Sequence, residues 1–305
     1  PQIDGVAQAL GDGTWTVNVS GKDAAGNTVS GSQTIGVDTA APTLSVDTLA
    51  QDNIINAAEH NQPLTLTGKT TAEAGQIVTV TLNGKDYTAT VSADGSWTLN
   101  VPAADVAALG DGSVTVTASV SDKAGNPASV DHNLAVDITV PAVTINTVAG
   151  DDVINIAEHA QAQIISGSAT GAAAGDKVTV TLGGQTYTTV LDAAGNWSVG
   201  VPASVLGALG EGNHMISVSV TDAAGNTGST TAPFNLTVDT GVPSAPVIST
   251  AADNVGSVQT PLSSGQSTDD TTPTLNGTAT ANATVTVYEN GQPIGTALAD
   301  GTGAW

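Results

Sequence analysis

Apolar and polar residues alternate over short runs along most of the chain, which is the period of a half-buried β-strand rather than of a helix. Between residues 39 and 137 the alternation predicts strands over Pro42–Asp47, Leu64–Lys69, Ile77–Leu82, Tyr87–Ser92, Ser96–Val101, Ser113–Ser121 and Ser129–Val136. Asn83-Gly84 and Asp94-Gly95 supply tight turns between neighbouring strands. Ala103–Leu109 reads as a single helical turn. Strands this short, at roughly ten-residue spacing, predict a β-sandwich.

The pattern repeats. The string LGDG at Leu10–Gly13 returns at Leu109–Gly112 and, as LGEG, at Leu209–Gly212. DAAGN at Asp23–Asn27 returns as DKAGN at Asp122–Asn126 and DAAGN at Asp222–Asn226. A Val-Asp pair precedes a proline each time: Asp38 before Pro42, Asp137 before Pro141, Asp239 before Pro243. Two further strings mark the middle of the chain: DNIINAAEH at Asp52–His60 answers DVINIAEH at Asp152–His159, and DGSW at Asp94–Trp97 answers AGNW at Ala194–Trp197. A period near 100 residues suits a string of sandwich domains and is too long for a solenoid. The expected fold is all-β: tandem immunoglobulin-like β-sandwich domains in an elongated rod. Residues 1–38 read as the C-terminal part of one repeat, 39–137 and 138–239 as complete repeats, and 240–305 as the N-terminal part of a variant repeat. Both ends read as the interior of a longer chain.

Composition narrows the function. The chain has 305 residues, 28 Asp and Glu against five lysines, no arginine, and a net charge of −23. So few cations cannot neutralise phosphates or an anionic membrane, so neither nucleic acid nor membrane insertion is expected. There is no cysteine, which removes thiol catalysis, disulfides and Cys-ligated zinc. Yet 40% of residues are hydrophobic, enough for packed cores.

The acids cluster where repeats meet. If successive strands alternate in direction, one pole of repeat 39–137 carries Asp52, Glu59, Asp111 and Asp137, and the next repeat brings Asp222 to it. The following boundary gathers Asp151, Asp152, Glu158, Glu211 and Asp239, and the first gathers Asp12, Asp38 and Asp122. Two carboxylates about 5 Å apart repel by roughly 3 kcal/mol at an effective dielectric near 20. Calcium, which takes six to eight hard oxygen ligands in irregular geometry, is the cation that fits such loops. The plainer reading is that the Asp of DxAGN caps its own turn and that an acid after a strand keeps the surface soluble.

Other candidates carry less. His60 and His159 have no zinc spacing and read as loop residues. Trp97 and Trp197 alternate with apolar neighbours and read as core rather than as platforms for a sugar. Trp15 aligns with Val114, a variable strand position. Nucleophile-elbow, P-loop and RTX motifs are absent. A catalytic carboxylate pair would not be copied at each junction, so the chain is not expected to be an enzyme.

As a set, the VD-x-x-x-P linkers, LGDG, DxAGN, the Gly before Trp and DNIINAAEH resemble the bacterial immunoglobulin-like repeats of giant type I-secreted, non-fimbrial adhesins. The fourth repeat, with TDDTTPTLNGTA and VTVYENG, is similar to a variant repeat of biofilm-associated surface proteins. The resemblance implies a secreted spacer at the bacterial cell surface, stiffened by calcium, that projects a distal binding region toward host cells. It places calcium at Asp38, Asp137 and Asp239 in the linkers and at Asp52 and Asp152, and extends to Asp111 and Glu211. Asp253, Asp269 and Asp270 of the fourth repeat are analogues only. The implied partners are calcium ions at the junctions and neighbouring repeats of the same chain, with host cells reached through other parts of the parent, and the chain itself a monomer. The alternative is that the repeats themselves bind a host receptor or glycan.

Overall fold

A computed structural model describes residues 10–257 and 259–305; residues 1–9 of the leading part-repeat lie outside the described residues. The chain opens on an antiparallel hairpin, β1 (Gly13–Lys22) with β2 (Thr28–Val37), joined by the DAAGN turn. There follow β3 (Leu44–Val46), β4 (Ile54–Asn56), β5 (Leu64–Thr70), β6 (Ile77–Leu82), β7 (Lys85–Thr90), β8 (Ser96–Val101), the one-turn helix α1 (Ala103–Val106), β9 (Gly112–Ser121) and β10 (Pro127–Asp137). These strands form two sheets, in the orders β3-β5-β8 and β4-β10-β9-β6-β7.

The alternation seen in the sequence is the packing pattern. Leu64 and Leu66 of β5, Val78, Val80 and Leu82 of β6, Val116 and Ala118 of β9, and Leu134 and Val136 of β10 point into one core. Trp97, Leu99 and Val101 of β8, next to β5 in its sheet, extend it, and Leu49, Ile55 of β4, Val106 of α1 and Leu109 complete it. β6 and β8 span the expected residues. β7 starts two residues earlier than expected, because Asn83 (φ +49°) and Gly84 (φ +74°) form a two-residue turn that lets Lys85 pair at once with Leu82. The alternation did not predict β4, which pairs in parallel with β10 far away in the chain: Ile54 lies opposite Ala135 and Asn56 opposite Asp137.

The second stretch contains β11 (Ala142–Ile145), β12 (Val153–Ile154), α2 (Ile156–His159), β13 (Gln163–Thr170), β14 (Lys177–Leu182), β15 (Gln185–Val190), β16 (Asn196–Val201), α3 (Ala203–Leu206), β17 (Gly212–Thr221), β18 (Thr227–Ser229) and β19 (Phe234–Val238). It repeats the earlier pairings: β11 with β13, β14 with β15 and β17, and β12 in parallel with β19. One element differs. The counterpart of the continuous β10 is split into β18 and β19 around Pro233, in a segment two residues longer. A proline cannot donate to a ladder, so the strand breaks there. The last stretch holds β20 (Val247–Ala252), β21 (Pro261–Leu262), β22 (Thr274–Thr278), β23 (Thr284–Glu289) and β24 (Gln292–Leu298); β20 pairs with β21 and β22, and β23 with β24.

By compactness the chain falls into two units, one of residues 1–146, 165–199 and 216–234 and the other of 147–164, 200–215 and 235–305. The second repeat contributes to both.

A glycine sets the internal packing of each repeat. A Cβ on Gly68 would lie 2.0 Å from the Ser45 carbonyl and 2.5 Å from the Trp97 ring, and Gly167 stands in the same relation to Thr144 and Trp197, as Gly277 does to Val247 and Trp305. Strand and indole approach so closely that only hydrogen fits between them. Trp97 is 1% exposed and Trp197 3%, as core side chains.

Candidate linker sites

Three linkers carry the same pair of carboxylates. In the first, Asp12 Oδ1 accepts from the Thr39 amide at 2.9 Å and from its hydroxyl at 2.7 Å, and Asp38 Oδ1 accepts from the Ala40 amide at 3.1 Å. In the second, Asp111 accepts from the Ile138 amide at 2.8 Å and the Thr139 hydroxyl at 3.1 Å, and Asp137 from the Thr139 amide at 3.1 Å. In the third, Glu211 accepts from the Thr240 amide and hydroxyl, and Asp239 from the Gly241 amide at 3.0 Å. So the acid of the LGDG loop and the acid of the Val-Asp pair meet on one two- or three-residue stretch of backbone each time. The Thr240 hydroxyl bond, helped by its amide, holds the Glu211 carboxyl below the usual glutamate value.

The DxAGN turn meets the linker through its asparagine. Asn126 Nδ2 donates to the Asp38 carbonyl at 3.1 Å, and Asn226 Nδ2 donates to the Asp137 carbonyl at 2.8 Å. Asn226 also accepts from the Ala57 amide at 2.7 Å, so one side chain ties the linker to the loop after β4. It is 4% exposed. Within each turn the Asp serves the Asn. Asp122 Oδ1 takes the Asn126 amide and Oδ2 its side-chain nitrogen, both at 2.8 Å, and Asp222 binds Asn226 in the same way. The Asn126 side chain is the largest influence lowering the Asp122 pKa.

The remaining sequence candidates fall into local structure. Asn155 caps the helix α2 and Asn56 caps the corresponding turn: each accepts from the amides two and three residues on, while Glu59 and Glu158 reach back to the capping residue's own amide at 3.2 and 3.1 Å. That is a capping box. His60 Nε2 then lies 2.7 Å from the Leu109 carbonyl and His159 Nε2 3.2 Å from that of Leu209, pinning the LGDG loop. Asp52 binds the Ile54 amide and Asp151 the Val153 amide, whereas Asp152 binds Val148 as Asn53 binds Leu49. The structural counterpart of Asp52 is therefore Asp151, not Asp152, and both belong to the turn entering the short parallel strand. In register, it is Asn56 that stands opposite Asp137.

Sequence reasoning singled out acids and passed over Asn56, Asn126, Asn226, Thr39, Thr139 and Thr240, although DxAGN and N-x-x-E were visible signals. Among the described residues no three His, Asp or Glu side chains come together as a metal cluster. What each linker offers is two carboxylates beside backbone carbonyls, an all-oxygen donor set of the hardness calcium prefers. That set fits the ion, with carbonyl and amide oxygens needed to complete the shell. Among the described residues the one salt bridge is Lys85–Asp105, away from the linkers, so no lysine neutralises these acids.

The bacterial Ig-like domain family matches residues 45–140 and 139–240. No curated protein matches the chain. Among solved structures, a Ca2+-stabilized adhesin that helps an Antarctic bacterium reach out and bind ice is 34% identical over 96% of this chain and 72% of its own, with a TM-score of 0.45. A 1.5-MDa bacterial ice-binding adhesin, described for host cell surface retention, is 31% identical over 87% of this chain and 85% of its own, with a TM-score of 0.43. A single immunoglobulin-like domain of the M. primoryensis ice-binding adhesin is 47% identical over 33% of this chain and 99% of its own, with a TM-score of 0.28. No helix among the described residues is long and apolar enough to cross a membrane.

Proposed function

Because the chain belongs to the bacterial Ig-like domain family, we propose that it is a structural spacer of a giant secreted adhesin on the bacterial surface, with joints stiffened by calcium. The observation that carries the reading is the recurrence of one paired-carboxylate linker: Asp12 with Asp38, Asp111 with Asp137, Glu211 with Asp239. The sequence identity to an adhesin described as Ca2+-stabilized supports the choice of ion. Asp12, Asp38, Asp111, Asp137, Glu211 and Asp239 are the side chains that would hold calcium, whose charge would offset the repulsion within each pair.

The chain's own part in the mechanism is mechanical. The capping box and the His60 bond fix the loop that faces the linker, and Asn226 fastens the next turn onto it. By holding calcium between the two acids of a linker, Asp111 with Asp137 for example, the chain would remove the remaining hinge freedom. At calcium 100-fold above its dissociation constant, each site would add about 2.7 kcal/mol to the bound form. No reaction is assigned to the repeats. Receptor or glycan binding by the repeats themselves has little to work with, since Trp97 and Trp197 lie in the cores.

Small-angle X-ray scattering with a thermal melt, in millimolar calcium and after chelation, tests the proposal. The expected result is a maximum dimension that shortens or broadens on chelation together with a lower Tm. An unchanged profile and Tm would remove calcium as the stiffener.

A further inference from the structure

In two of the three repeats, the loop that carries the linker acid is closed by a side chain just beyond it. His214 reaches back four residues, and its Nε2 lies 2.6 Å from the Gly210 carbonyl. Trp15 does the same at the front of the chain, where its Nε1 donates to the Gly11 carbonyl at 2.8 Å. The LGDG and LGEG strings put these two side chains at one position, three residues past Asp12 and three past Glu211. A carbonyl only accepts, so Nε2 of His214 carries the proton, as the indole nitrogen always does. The chain can fold back because the glycine after the acid takes a positive φ, +140° at Gly13 and +106° at Gly212.

Residues 39–137 have the same bend, with Gly112 at φ +129°, but Val114 stands at the closing position and has no N–H to give. There His60 meets the Leu109 carbonyl. In the next repeat two successive carbonyls are engaged, Leu209 by His159 and Gly210 by His214. The acid lies inside the closed loop, and its outward bond runs to the linker: Asp12 accepts from the Thr39 amide and Glu211 from the Thr240 amide.

We propose that the side chain three residues past the linker acid is its positioning residue. An N–H donor there closes the loop around the acid and aims the carboxylate at the linker amide, whereas valine leaves it looser. The position that varies from repeat to repeat thus grades the linkers: Asp12 and Glu211 are held firmly, Asp111 less so. This holding needs no cation. For calcium, which rests on the function proposed above, the consequence is affinity, because a carboxylate already held gives up less freedom on binding.

The test uses the 305-residue chain and amide exchange followed residue by residue by NMR, first in EDTA. His214→Val, which installs the residue of the preceding repeat, is expected to speed exchange of the Thr240 amide about fivefold, the net worth of one hydrogen bond. His214→Trp, which supplies the donor found at Trp15, should stay within about twofold of the native rate. In the other repeat Val114→His should slow the Ile138 amide, which donates to Asp111, about fivefold. On a Glu211→Ala background the Thr240 amide has already lost its acceptor, so His214→Val should change it no further. An equal effect in both backgrounds would mean general loosening and overturn the proposal. So would an unchanged Thr240 rate in His214→Val, or an unchanged Ile138 rate in Val114→His. A calcium titration read at the Thr240 amide follows, with a midpoint expected to rise about fivefold in His214→Val and to stay native in His214→Trp. An unmoved midpoint in a chain that binds calcium would overturn the positioning of Glu211 for a cation. A native chain that binds no calcium would remove the calcium reading, and the rates in EDTA would still decide the proposal.

Discussion

The side-chain amide of Asn226 donates to the backbone carbonyl of Asp137, 89 residues earlier, at 2.8 Å. The same side chain accepts from the Ala57 amide, 169 residues earlier, at 2.7 Å. A buried amide that satisfies a linker carbonyl and a loop N–H at once is a joint built from protein alone, beside whatever a cation adds. Asn226→Ala is expected to leave the Ala57 N–H without an acceptor, at a cost of about 1–3 kcal/mol. Hydrogen exchange reads this directly: the Ala57 amide should exchange on the order of tenfold faster or more, and calcium should not restore its protection. Unchanged exchange at Ala57 would show that the bond does not govern the joint.

The glycine beneath each tryptophan gives a stability prediction. A Cβ on Gly68 would meet the Ser45 carbonyl and the Trp97 ring well inside van der Waals contact. The neighbouring strand β3 or the indole, both within the β3-β5-β8 sheet, must shift, and overpacking of this kind costs about 1–3 kcal/mol. Gly68→Ala should lower the unfolding free energy read from urea denaturation by that amount, and Gly167→Ala should do the same in the next repeat. Gly110→Ala, where a Cβ meets nothing within 4 Å, is the control.

The linker acids separate calcium from plain solubility. Asp137→Asn keeps the oxygen that accepts from Thr139 but removes the charge. Without calcium it should raise Tm slightly or leave it unchanged, because the repulsion from Asp111 is relieved. With calcium it should lose most of the rise that the native chain shows. Equal calcium responses in the two chains would rule out Asp137 as a ligand.

Titration offers a local probe. Burial, aided by Asp105, raises the Tyr87 phenol above its usual 10.0, and Lys85 and Tyr87 hold the Asp105 carboxyl below its usual 3.8. A depressed folded pKa means that the contribution of Asp105 is fully present above pH 3.8 and is lost as pH falls through the lower folded value. Asp105→Asn should therefore flatten stability against pH in that acid range. It should also bring the Tyr87 absorbance titration only part of the way back, since burial is the larger cause.

The sequence by itself determined the strands and their repetition. Ile77–Leu82 and Ser96–Val101 were legible to the residue because inward and outward positions alternate, and burial follows that alternation. Recurrence of LGDG and DxAGN likewise located the linker acids, and the alignment put Asp12 with Asp111 and Glu211. The tertiary structure decided what those acids and their neighbours meet. The parallel strand at Ile54–Asn56 exists only because β10 lies beside it, and its register sets Asn56, rather than Asp52, opposite Asp137. INAAEH, which carries the candidate acid Glu59, folds as a capped turn latched by His60. Asn226 becomes the fastening of the joint only where a turn, a linker and a loop from three distant segments converge. Local alternation records which way a side chain faces, whereas the partner across a gap depends on register between segments far apart in the chain, and no short stretch of sequence carries that.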